Sequence, residues 1–196
     1  SDLLSEIRDK WDVFADENFD TLDTYLFAKG VDYKRYLWEE LTLIRSVARL
    51  SNDYEDYKSY NRDSRAIRFH QTRREAVMEK LLRWEAFQVK EGFLDEMAFT
   101  QAGTFLFENK ASIPVGYRFR SILVDEYQDL STFDIKLLTH LVSPKENSLF
   151  FTGDTAQKVN AKQLSLKSAI GNDFTERRLL KNYRNSKQIL RMGMAM

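Results

Sequence analysis

Asp125 and Glu126, two carboxylates directly behind the apolar run Ser121-Ile122-Leu123-Val124, are the residues of this chain best placed to do chemistry. A short continuous apolar run predicts a strand buried on both faces of a parallel sheet, and such sheets hold ligands at the carboxyl ends of their strands. One carboxylate there can hold Mg²⁺, which prefers hard oxygen ligands and keeps much of its water. Its neighbour can orient and deprotonate a water that attacks a terminal phosphate. Ordinary turns are also rich in Asp and Glu, so the informative unit is the whole string Ile122-Leu123-Val124-Asp125-Glu126-Tyr127-Gln128-Asp129. Two further polar strings follow it. Gly153-Asp154-Thr155-Ala156-Gln157 stands behind Phe150-Phe151-Thr152, and Asn182-Tyr183-Arg184 comes later. Taken alone, the first reads as a turn after a strand and the second as surface decoration.

The elements that must position these residues change character near residue 115. Before it, apolar residues recur three or four apart. Leu3, Leu4, Ile7, Trp11 and Phe14 predict one helix, Thr21 to Lys29 a second closed by Gly30, and Tyr36 to Ala48 a third. Thr72 to Glu91, with Val77, Leu81, Trp84, Phe87 and Gln88 along one side, predicts a long helix that Gly92 ends. Phe93 to Phe107 predicts another, weakened by Gly103 by about 1 kcal/mol relative to Ala. The tyrosine-rich patch Asn52 to Asn61 fits a short helix or a loop. After Pro114 the pattern becomes strand, helix, strand. Ser131 and Asp134 suggest an N-cap, Phe133, Leu137, Leu138 and Leu141 a buried helix side, and Ser148 to Thr152 a second buried strand. Residues 119–152 thus have the spacing of a βαβ crossover. Arg178 to Leu180 fits a third strand, with a helix from Ser186.

Composition narrows the chemistry. The chain has 196 residues, 43% of them hydrophobic, enough to bury a core. Zero cysteines exclude disulfides and thiolate metal sites, and fit a reducing compartment. His70 and His140 stand far apart with no His-Glu-x-x-His pattern, which argues against zinc or a His-dependent triad. No apolar run approaches the roughly 18 residues of a membrane span, and the opening Ser1 to Glu6 lacks the features of a signal peptide. Lysine plus arginine balances aspartate plus glutamate, 30 against 30. The balance is uneven along the chain: acidic residues prevail over 1–60 and basic ones over 61–90. There Arg62, Arg65, Arg68, Arg73 and Arg74 alternate with Tyr57, Tyr60, Phe69 and His70, a pattern able to follow a single-stranded backbone and stack a base. The same arginines also read as a solvated helical face paired with Glu75 and Glu79.

In combination the strings resemble the motor of UvrD/Rep-type superfamily 1 helicases. Residues 122–129 match that family's Walker B element, apolar–Val-Asp-Glu-x-Gln-Asp. Residues 150–157 match its third motif, a strand followed by Gly-Asp-x-x-Gln, and 180–186 its fourth, Asn-Tyr-Arg-Ser. More loosely, Gly92-Phe93-Leu94-Asp95-Glu96 resembles the acidic helix start that precedes Walker B. The resemblance implies an α/β fold, part of a P-loop NTPase (RecA-like) parallel sheet with a mainly helical N-terminal part. By position it implies a helical 1B-like subdomain over 1–90, part of motor domain 1A over 91–181, and the start of the second motor domain over 182–196. It further implies Glu126, Gln157 and Arg184 as catalytic residues, with Asp125 as the Mg²⁺ ligand. Asp125, Gln128, Asp154 and Tyr183 would serve nucleotide binding, the tyrosine by stacking on adenine. ATP, single-stranded or partly duplex DNA and the rest of a parent motor are the implied partners, in a cytoplasmic or nucleoid-associated setting with no membrane.

Two features depart from the pattern. None of the glycines, at 30, 92, 103, 116, 153, 171 and 193, begins a Gly-Lys-Ser/Thr, so the chain carries no Walker A loop. This predicts that it is inactive alone, as a piece of a helicase or translocase. The alternatives are a non-catalytic helicase-like scaffold and a module binding nucleic acid or protein. Second, Gln157 is followed by Lys158-Val159-Asn160-Ala161 where relatives carry an aromatic, and Thr155-Ala156 replaces a common acidic pair. DNA-stacking roles are therefore not carried over. A parallel sheet lacking its first strand also predicts an unpaired edge that promotes self-association.

Overall fold

The structure, a computed structural model, describes residues 3–47, 56–59, 62, 65–109, 113, 115–154, 166–171 and 174–178. The N-terminal part is helical. Helix α1 spans Leu3–Glu17, α2 Thr21–Ala28, α3 Tyr33–Val47, α4 Asp56–Ser59 and α5 Gln71–Glu91. The expected stripes turn inward: Trp11 and Phe14 of α1, Leu37, Leu41 and Ile44 of α3, and Val77, Leu81 and Trp84 of α5 are all buried in one core. Its centre is aromatic. The Trp11 and Trp84 rings meet edge-on at 5.3 Å, and Phe14 meets Trp84 at 5.2 Å. Such pairs add roughly 0.5–1.5 kcal/mol each beyond area burial.

Helix ends follow their local chemistry. Asp20 caps α2 by accepting from the backbone N–H groups of Leu22 and Asp23, while Asp23 accepts from Asp20 N–H, a reciprocal capping box. Gly30 and Gly92 both sit at left-handed φ, +74° and +71°, as the stop positions require. Within the patch Asn52 to Asn61, α4 is the helical part that the structure describes.

Helix α6, Glu96–Asn109, begins three residues later than its apolar pattern suggests. Asp95 sets the start, because its carboxylate accepts the N–H of Ala98 at 2.9 Å. Gly103 does not interrupt the helix. It lies against α7, Thr132–Leu141, where a Cβ would come within 3.2 Å of Leu137 Cδ1, so a small residue is needed for the close approach. Ser131 and Asp134 form the anticipated capping box on α7.

Two strands flank α7: β1, Ile122–Val124, and β2, Leu149–Phe151. They pair in parallel, Ile122 with Leu149, Leu123 with Phe150 and Val124 with Phe151. The chain is thus mostly helical with a small parallel sheet, in agreement with the α/β reading. One expectation is overturned. Neither strand is buried on both faces: Leu123 is 76% and Phe150 58% exposed, while their strand neighbours are half-buried. The described sheet has two strands only, and no described element covers that face. A final helix, α8, spans Leu166–Ile170 and packs on α7. Of the proposed third strand, Arg178 is not in a strand and Leu179 and Leu180 lie outside the described residues, as does the helix from Ser186.

Candidate functional site

The carboxyl ends of β1 and β2 lie side by side, and their following loops form one cluster. Backbone pairing continues past the strands: Thr152 N–H donates to Val124 C=O at 2.8 Å, and Tyr127 N–H to Thr152 C=O at 2.9 Å. Asp125 therefore emerges beside Thr152. Its Oδ1 accepts from the Thr152 hydroxyl at 2.5 Å and from Glu126 N–H at 3.0 Å. These two bonds, the hydroxyl's first, hold the carboxyl below its ordinary pKa and keep it ionised. With Oδ1 so fixed, an exposed Oδ2 remains to face a ligand.

Glu126 adopts a left-handed backbone, φ +53° and ψ +42°. For a residue with a Cβ this conformation costs roughly 1–2 kcal/mol. It turns the chain sharply out of β1 into the single 3-10 turn Tyr127–Asp129. The turn buries Gln128, which is 4% exposed. Gln128 Nε2 donates to Glu126 Oε2 at 2.5 Å, and its Oε1 accepts from Asp154 N–H at 3.0 Å. Asp125, Glu126, Gln128 and Asp154 are thus brought together, as the strings suggested. Gln157, Tyr183 and Arg184 lie outside the described residues.

Reading the sequence missed Thr152 and Gly153. Thr152 orients Asp125. Gly153 has no room for a side chain: a Cβ would lie 2.2 Å from Gln128 Oε1, 2.7 Å from Tyr127 Cδ1 and 3.0 Å from Tyr127 N. The signal was present in the string Thr152-Gly153-Asp154, which a turn alone had accounted for.

Among the described residues, no three His, Asp or Glu side chains converge as a cation cage. The donor set nevertheless suits Mg²⁺, which is commonly held by one or two carboxylates with water and substrate phosphate completing the shell. Asp125 offers such a carboxylate.

The basic stretch lies on the helical part and is built differently from either reading of it. Arg62 is buried and donates to both carboxylate oxygens of Glu40, through Nε at 2.5 Å and Nη2 at 2.8 Å. Arg65 donates to Glu40 at 2.9 Å and to Glu39 at 2.7 Å. Tyr57 completes the cluster by donating its hydroxyl to Glu40. The arginines' partners thus come from α3, not from Glu75 and Glu79, and Arg62 and Arg65 are withdrawn from solvent. Arg73 lies over the Tyr25 ring at 3.8 Å, and Arg68 is exposed.

A parallel strand–helix–strand unit with an acidic, ligand-facing loop cluster at its carboxyl end defines an α/β site of the kind that binds phosphate compounds. The comparisons with known proteins make this specific. The sequence model of the UvrD/REP helicase N-terminal domain matches residues 3–161, and the chain belongs to that family. Over 159 residues it is 25% identical to an ATP-dependent helicase/nuclease polypeptide of Limosilactobacillus fermentum, covering 81% of this chain and 12% of that protein. The protein of the same name from Lactobacillus helveticus is 38% identical over 42 residues, 21% of this chain and 4% of the relative. The chain therefore spans a small part of the length of these relatives. No solved structure matches it. Among the described residues, no helix is long and apolar enough to cross a membrane.

Proposed function

We propose that the chain supplies the water-activating part of an ATP-dependent DNA helicase or translocase. The observation that carries this reading is the paired loop cluster, in which Asp125 and Glu126 leave β1 beside Thr152-Gly153-Asp154 leaving β2. Bound Mg²⁺ would neutralise phosphate charge, with Asp125 holding it directly or through water. Glu126 then orients the attacking water and takes its proton, acting from a backbone position fixed at the strand's end. Asp154 lines the same mouth. Gln157 and Arg184 serve the γ-phosphate and Tyr183 the adenine, Arg184 because a planar cation meets the charge that grows in the transition state.

Single-stranded or partly duplex DNA is the proposed second ligand. On the helical part, Arg68 and Arg73 are the candidates for a backbone contact, since Arg62 and Arg65 are engaged by Glu39 and Glu40. Residues 1–90 are read as a 1B-like subdomain, 91–181 as part of motor domain 1A and 182–196 as the start of the second motor domain. Without a Walker A sequence, the 196-residue chain is expected to show no turnover by itself.

The test is ATP turnover by the full native polypeptide that carries this chain, with and without single-stranded DNA, beside Glu126→Gln. DNA-stimulated turnover that falls by roughly 10²–10⁴-fold in the variant is the expected result. Nucleotide binding with no turnover in the wild type would replace this reading with a non-catalytic scaffold.

A further inference from the structure

Gln128 was expected to touch nucleotide, yet its amide is engaged by the protein on both sides. We infer that Gln128 is a positioning residue, a latch that fixes the Glu126 carboxylate to the loop after β2. The inference rests on the reading of Glu126 as the water-activating base.

An amide carries a donor and an acceptor about 2 Å apart, so it can join two groups that cannot bond each other. Glu126 offers a carboxylate, which accepts only, and Asp154 offers a backbone N–H, which donates only. Gln128 satisfies both, Nε2 to Glu126 Oε2 at 2.5 Å and Oε1 from Asp154 N–H at 3.0 Å. The two partners also settle the amide's orientation, since the reversed amide would set donor against donor and oxygen against carboxylate. Burial of Gln128 at 4% exposure shields both bonds from competing water. The contact spans 26 residues of sequence and joins the loops that follow two different strands.

Gly153 makes the latch possible. Its φ is not left-handed, so glycine is not required for the backbone conformation. It is required for space, because a Cβ would stand 2.2 Å from the very Oε1 that accepts from Asp154. The loop entering the segment with Gln157 is thereby seated directly on the side chain that holds Glu126. A shift of that loop would move the carboxylate, and a shift of the carboxylate would move the loop. The latch thus provides a mechanical link between the second and third motifs.

The experiment has two readouts. In the full native polypeptide, kcat and KM for ATP are measured for wild type, Gln128→Met, Gln128→Glu and Gly153→Ala, with Glu126→Gln as control. Gln128→Met removes both bonds while filling the space, and Gln128→Glu keeps the acceptor for Asp154 but sets a second carboxylate against Glu126. Each is expected to lower kcat by roughly 10²-fold, the scale of an ångström-sized misplacement, with KM for ATP unchanged. Gln128→Met combined with Gly153→Ala should be no worse than either alone, because both break one connection. In parallel, amide hydrogen exchange is followed at Asp154 and Thr152. Gln128→Met should release the Asp154 amide and leave Thr152, bonded to Val124, protected. Unchanged exchange at Asp154, or a raised KM with normal kcat as for a nucleotide ligand, would overturn the latch. If wild type hydrolyses no ATP, or Glu126→Gln turns over normally, the functional reading fails instead, and exchange alone decides the latch.

Discussion

Asp95 sits in front of α6 with its carboxylate wholly enclosed by other elements. Arg45 from α3 donates to it at 2.8 Å, Trp84 from α5 through its indole N–H at 2.9 Å, and Ala98 through its backbone. Burial, the largest single influence, pushes its pKa up, but the charge and hydrogen bond of Arg45 with the other two donors outweigh it and leave the pKa lowered. A folded pKa below the unfolded value of about 3.9 means stability that is fully present above that pH and lost as pH falls through the folded pKa. Urea unfolding at stepped pH should show this loss in wild type below about pH 4. Asp95→Asn should be flatter there, and less stable at neutral pH by roughly 3–5 kcal/mol because Arg45 is left buried without its counter-charge. A variant as stable as wild type at neutral pH would show that the pair does not hold these helices together. At this scale the sequence was legible where chemistry is local. Asp125 and Glu126 are recognisable because a strand end and two carboxylates are adjacent in the chain. Glu40 as the partner of Arg62, and Asp154 as the partner of Gln128, were not legible, since each pairing is made by packing across 22 and 26 residues.

Between elements, α2 and α5 are joined by a buried ion pair that amphipathic patterning does not reveal. Lys80 of α5 is fully buried, bonded to Asp23 and lying 3.2 Å from both Asp20 Oδ2 and Asn18 C=O. Burial raises the Asp23 pKa even with Lys80 beside it. Removing the cation alone leaves a buried carboxylate, so Lys80→Met should destabilise by roughly 3–5 kcal/mol. Adding Asp23→Asn removes the unpaired charge while keeping an acceptor for Asp20 N–H in the capping box, and should restore most of that loss. Chemical denaturation of the single and double variants checks this; a double variant no more stable than Lys80→Met would mean that packing, and not charge, is lost. The helices were legible because apolar residues at three- and four-residue spacing need only one buried face. Lys80 escaped notice for the same reason, as a charged residue on that face reads as an interruption. The sheet was legible in its strands and register direction but not in its burial, because apolar runs say nothing about what covers them.

For the whole molecule, the uncovered face of the sheet is the dominant surface feature near the candidate site. Leu123 and Phe150 are cross-strand partners on that face, and Phe119 and Tyr117 nearby are also strongly exposed. Two parallel strands in a two-stranded sheet also leave backbone groups unpaired on their outer edges. The balanced charge, 30 against 30, provides no long-range repulsion to keep copies apart. These three properties act in one direction. The 196-residue chain by itself should associate as concentration rises, with light scattering giving a mass above the monomer's 23.2 kDa. Placing charges on the face with Leu123→Lys and Phe150→Lys should return the monomer, because like charges directly opposite across a strand pair repel and the apolar contact is lost. Added salt should not disperse the wild-type assemblies, since apolar burial and strand pairing, unlike exposed ion pairs, are not screened. A wild-type chain that stays monomeric at high concentration would mean that this face is covered in solution by some part of the same chain.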